Sequence, residues 1–113
     1  MARRFTSKLI VSALLKRLAT AGGTGAVLAH GDDGAGGIVA ICAEKGRISS
    51  LIELAYDSDE RMFWRPCTSQ AIENNDKFQI YLAQRRKSDP DLWLVELDIP
   101  AAERFAADCI AET

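Results

Sequence analysis

The run Leu92-Trp93-Leu94-Val95-Glu96-Leu97 constrains the fold more than any other stretch of this chain. Side chains alternate across a strand with a period of two. Trp93, Val95 and Leu97 therefore share one face, while Leu92 and Leu94 start the other. Apolar residues on both faces mark an interior strand, one with neighbours on either side. Asp89-Pro90-Asp91 stands just before it and breaks the preceding helical pattern. The residue before a proline is pushed out of the α region, and proline suits the second position of a turn.

The other elements follow from periodicity and punctuation. A first helix is predicted from about Ser7 to Ala21, with Thr6 as N-cap and Gly22-Gly23 as its stop. At 100° per residue, Ile10, Val11, Leu14, Leu15 and Leu18 fall on one arc, opposite Lys8, Ser12 and Lys16. Leu9 and Ala13 lie off that stripe, which leaves room for a second contact with another subunit. Short strands are expected at Ala26–His30, Ile38–Ala43, Ile48–Tyr56 and Met62–Cys67, separated by Gly31–Gly37, Lys45-Gly46 and Asp57–Glu60. A second helix should occupy about Asn74–Lys87, with Phe78, Tyr81 and Leu82 inward, and a last short helix Ala101–Cys109.

The resulting order is α-β-β-β-β-α-β-α. It predicts an α+β fold, a mainly antiparallel sheet of about five strands with two or three helices. Consecutive hairpins favour a meander, with Ala26–His30 paired to Ile38–Ala43 and the helices packed on one face. The 113 residues fit one domain, without repeats or linkers. Apolar residues at 48% and charged residues at 27% leave enough core to exclude disorder over most of the length.

The composition also excludes some functions. A net charge of -2, from 14 basic and 16 acidic groups, argues against a dedicated nucleic-acid coat. Cys42, Cys67 and Cys109 are odd in number and widely spaced, which reads as free thiols in a reducing, cytoplasmic setting. Paired close metal ligands are missing, and no cofactor motif is present. The basic, acid-free opening also has the look of a mitochondrial presequence. Its apolar run, Leu9 to Leu15, is too short to span a bilayer, so no membrane association is expected. The preferred reading is the first helix of the fold.

Three stretches carry a resemblance. Asp89-Pro90-Asp91-Leu92-Trp93-Leu94-Val95-Glu96-Leu97, the segment from Gly31 to Val39, and Trp64-Arg65 together resemble the signature of a small alphaproteobacterial family, domain of unknown function 1491. The resemblance spans helix 1 to the last strand. It implies a bacterial cytoplasmic protein and carries over no catalytic residue.

The candidate functional surface comprises Asp89, Asp91, Trp93, Glu96, Trp64, Arg65, Arg85 and Arg86. The acids around the last strand have the chemistry to hold Mg²⁺, but Asp89 and Asp91 are equally turn residues and Glu96 a solvated sheet edge. Arg85-Arg86-Lys87 offer phosphate contacts if joined to Arg3, Arg4, Lys16 and Arg17; cations at a helix C-terminus also simply complement its dipole. The element order is similar to that of metal-dependent nuclease cores. Those need a strand-borne E-x-K dyad, whereas Glu44-Lys45 are adjacent and Glu53 is followed two residues on by Ala55. Trp64 and Trp93 read as core anchors. The Gly31–Gly37 segment lacks a phosphate-loop pattern and reads as a flexible hairpin connection, with a small-ligand pocket beneath it as a further option. The leading expectation is a non-catalytic interaction or regulatory module that self-associates as a homodimer, with a protein partner as an option. Nucleic-acid binding is the alternative.

Overall fold

The computed structural model describes residues 5–67 and 75–111. Eight elements follow in the expected order: α1 Ser7–Thr20, β1 Thr24–Ala29, β2 Ile38–Glu44, β3 Arg47–Tyr56, β4 Met62–Pro66, α2 Asn75–Ser88, β5 Trp93–Asp98 and α3 Ala102–Ala111. Boundaries differ from the sequence expectation by one or two residues. Thr6 caps α1 as its chemistry predicts, its Oγ1 accepting a hydrogen bond from the Leu9 N–H at 3.2 Å.

The five strands form one sheet in the order β1-β5-β2-β3-β4. β2, β3 and β4 make the expected meander. β1 does not pair with β2. It runs antiparallel to β5, with Thr24 opposite Asp98 and Val27 opposite Val95. β2 then pairs parallel to β5, with Ile38 beside Trp93 and Ala43 beside Asp98. β5 thus slides between two strands that follow each other in sequence. The reason lies in its composition: Leu94, Val95 and Leu97 bury apolar side chains only with a neighbour on each side.

The helices do not share one face. Val11, Leu14 and Leu18 of α1 and Ala102, Ala106 and Cys109 of α3 pack on Ile38, Ala40, Cys42, Trp93, Val95 and Leu97. Phe78 and Leu82 of α2 pack on the opposite face, against Val39, Ile41, Leu51 and Leu94. The sheet is covered on both sides because β2, Ile38-Val39-Ala40-Ile41-Cys42-Ala43, is buried at both parities. Each fully buried Leu, Ile or Val contributes about 1.5–3 kcal/mol relative to exposure, and cover by α2 is what buries those of the second face.

The Gly31–Gly37 loop is not a slack connection. The Asp32 N–H donates to the Asp91 carbonyl at 3.0 Å, and the Trp93 N–H to Gly37 at 2.7 Å. The Trp93 indole N–H donates to the Asp32 carbonyl at 2.8 Å. A Cβ at Gly31 or Gly36 would overlap the Asp91 carbonyl oxygen, so this close approach of two backbones needs glycine at both positions. The loop also grips the start of α1: Ser7 and Lys8 donate their N–H groups to the Gly34 and Asp33 carbonyls at 3.1 and 3.0 Å. The buried Ser7 hydroxyl donates to the Gly36 carbonyl. Two orphan donors of a helix N-terminus are thereby filled by protein rather than by an anion.

Candidate interaction groove

α1 turns its main stripe into the core, and that leaves the next arc of the helix bare. Leu9 is 52% exposed, Ala13 is exposed, and Phe5 just before the helix is 45% exposed. These three residues form one wall of a groove of about 370 Å³. Met62 and Trp64 of β4 and Ile110 of α3 form the other. Strand alternation sends Met62 and Trp64 to the same face. Trp64 is held there by its indole N–H, which donates to the Ala106 carbonyl at 3.0 Å. Among the described residues Arg17 is the one charged side chain in the groove lining, and its Nη1 donates to the Cys109 carbonyl at 3.0 Å, tying α1 to the end of α3. Beyond Ile110 a shallower recess of about 570 Å³ continues along α3 past Ile52, Pro66 and Ala107.

The groove has little chemistry to offer a substrate. Burial pushes the Cys109 thiol above its ordinary value against the opposing pull of Arg17. Burial pushes Cys42 up to about 12, with a hydrogen bond from Ser50 opposing and the charge of Glu103 adding to it. Such thiols stay protonated and poorly nucleophilic. Among the described residues no three His, Cys, Asp or Glu side chains converge to hold a metal ion. No helix among them is long and apolar enough to cross a membrane.

The residues singled out from sequence do not form one site. Asp89 and Asp91 build the turn before β5: the Asp89 carboxylate accepts from the Asp91 N–H at 3.2 Å, and its carbonyl accepts from Leu92. Trp93 is buried at 2% exposure, with His30 packed on its ring at a centroid distance of 4.0 Å. Trp64 alone lines the groove. Arg65 and Arg85 meet on the opposite face of the sheet, where Glu53 accepts from them at 3.4 and 2.7 Å. Arg85 also donates to the Tyr81 hydroxyl at 3.2 Å. Burial works against the charge of Arg85, but the hydrogen bonds to Glu53 and Tyr81 outweigh it and raise its pKa. Arg86 lies on the exposed side of α2. Glu96 is half-buried within the sheet and has no partner among the described residues.

Two sequence readings change with this geometry. The basic groups of α1 and of the end of α2 cannot form one phosphate-gripping surface, because the sheet lies between the two helices; Arg3 and Arg4 fall outside the described residues. The space beside the glycine loop is a recess of about 180 Å³ in which Ser7 already bonds to the Gly34 and Gly36 carbonyls and the Thr6 hydroxyl accepts from Leu9. Phe5, Met62 and Ile110 carried no sequence signal as groove residues. Leu9 and Ala13 did, because they stood off the apolar stripe.

A family model described as a protein of unknown function, DUF1491, matches residues 5–107. The chain belongs to the DUF1491 family. The crystal structure of a DUF1491 family protein from Caulobacter crescentus CB15 superposes with a TM-score of 0.76 at 22% identity, over 90% of this chain and 94% of that one. An NMR structure of a DUF1491 family protein from the same organism gives 0.74 at 22% identity, over 92% and 94%. The solution structure of protein Atu0922 from A. tumefaciens gives 0.65 at 30% identity, over 86% and 87%. None of the curated proteins matches. The glycine loop and the Asp89–Leu97 run, both within the matched range, pack against each other.

Proposed function

We propose that this DUF1491 protein is a non-catalytic interaction module that pairs with a second copy of itself through the α1–β4–α3 groove. The observation that carries this reading is an apolar ridge beside an apolar groove on one face. Phe5 and Leu9 stand out from α1, and the hollow they border is lined by Met62, Trp64 and Ile110. A twofold pair needs a patch that supplies both knob and hole, since the same surface serves both partners. Leu9 of each copy fills the groove of the other in this arrangement. Among the described residues its one lining charge, Arg17, is anchored by a hydrogen bond to the Cys109 carbonyl. Three free thiols, two of them buried, suit a reducing cytoplasm, where we place its action.

Sedimentation across a concentration series tests this. Wild-type protein is expected to approach twice the 12.3 kDa chain mass. Leu9→Asp, at an exposed helical position, is expected to keep its circular dichroism and sediment as one chain, because a desolvated carboxylate at the interface costs several kcal/mol. A wild-type protein that stays a single chain at every concentration rejects the reading.

A further inference from the structure

Among the described residues β1 is an outer strand with β5 as its sole neighbour, and Thr24 through Leu28 are all exposed. An outer strand presents a row of unpaired N–H and C=O groups, which proteins blunt with charge, proline, bulges or shortness. The other outer strand, β4, carries Arg65 and ends in Pro66. β1, Thr24-Gly25-Ala26-Val27-Leu28-Ala29, carries neither charge nor proline. Its one interruption is a bulge between Val27 and Ala29, which leaves Thr24–Val27 in unbroken register with Asp98–Val95. Inside this edge sits an unpaired charge. Glu96 lies directly opposite Ala26 and beside Ile41 on β2, half-buried, with no partner among the described residues. Ala26, the residue paired with Glu96 on β1, offers only a methyl group on that face of the sheet.

We propose that β1 receives an extended segment of a different protein, paired strand to strand, with a lysine or arginine opposite Ala26 that reaches across it to Glu96. The cation spans two strand spacings of about 4.8 Å, within the range of a long basic side chain lying along apolar surface. Charge selects the occupant: a second copy of β1 brings no cation, so it would leave Glu96 as it is. The site is independent of the groove, since β4 and β1 are opposite edges of the sheet; a dimer formed at one leaves the other open.

The test is an ¹⁵N NMR titration with a short synthetic peptide of alternating valine and threonine and one central lysine. The amides of Thr24–Leu28 are expected to shift saturably and to gain protection from exchange. Replacing the lysine by glutamate, or using Glu96→Gln protein, is expected to weaken binding about fivefold, the scale of one exposed ion pair. Glu96→Gln must keep the wild-type spectrum elsewhere, which separates lost binding from lost folding. Absence of saturable β1 shifts, or equal binding of the glutamate peptide, overturns the proposal. So do β1 shifts that follow protein concentration alone, which would give the strand to a second copy.

Discussion

At the scale of single residues, several acidic groups of this protein are structural fittings. The Asp98 carboxylate accepts from the Lys45 and Gly46 N–H groups at 2.7 and 2.8 Å and so closes the β2–β3 turn, where both residues adopt positive φ. Glu103, in the first turn of α3, accepts from the Ser49 and Ser50 hydroxyls at 2.8 and 2.5 Å. Its partial burial favours the neutral form, but the hydrogen bonds from Ser50, its own N–H and Ser49 prevail and lower its pKa from 4.5. A lowered carboxyl pKa gives stability that is complete above the unfolded value and disappears as pH falls through the folded one. The melting temperature of wild-type protein should therefore exceed that of Glu103→Gln at neutral pH, and the gap should close below about pH 4.5. A gap that stays constant into acid would remove the charge of Glu103 from the explanation.

At the scale of elements, the glycine loop explains both what was legible in the sequence and what was not. Every helix and strand could be read from periodicity, because burial on one or both faces leaves a pattern along the chain. Pairing leaves no such pattern: nothing in Ala26–His30 states that its neighbour is Val95 rather than Ile38. The relevant signal was present in β2 and β5, both apolar at both parities, which demands cover on two faces and places α2 opposite α1. The loop's role was hidden because a glycine needed for close approach looks the same as one in a flexible connection. A pair of substitutions separates the two. Gly36→Ala should lower the urea midpoint by the equivalent of about 1–3 kcal/mol, since its Cβ meets the backbone carbonyl of Asp91. Gly34→Ala, whose Cβ meets only Asp32 Oδ2 at 3.5 Å, should be close to neutral. Equal effects at both positions would mean that the loop does not clamp the Asp89–Asp91 turn.

At the scale of the whole molecule, the three layers settle which surfaces are left for partners. The sheet interior is closed by α1 and α3 on one side and α2 on the other. The candidate residues read from the sequence are scattered in space, because spacing along a chain does not say which face a strand will show. Two turned out to be buttresses, Asp89 and Trp93; Arg65 and Arg85 clamp Glu53; only Trp64 reaches the groove. Besides the β1 edge, what remains open is the apolar strip that includes Leu9 and Ala13, which the core packing of helix 1 leaves bare. The most direct test of twofold pairing there is an isotope-filtered NOE experiment on a mixture of labelled and unlabelled chains. The expected result is cross-peaks between Leu9 methyls of one copy and the Trp64 indole and Ile110 methyls of the other. Filtered spectra without those contacts, from a sample tumbling as a single chain, would contradict it.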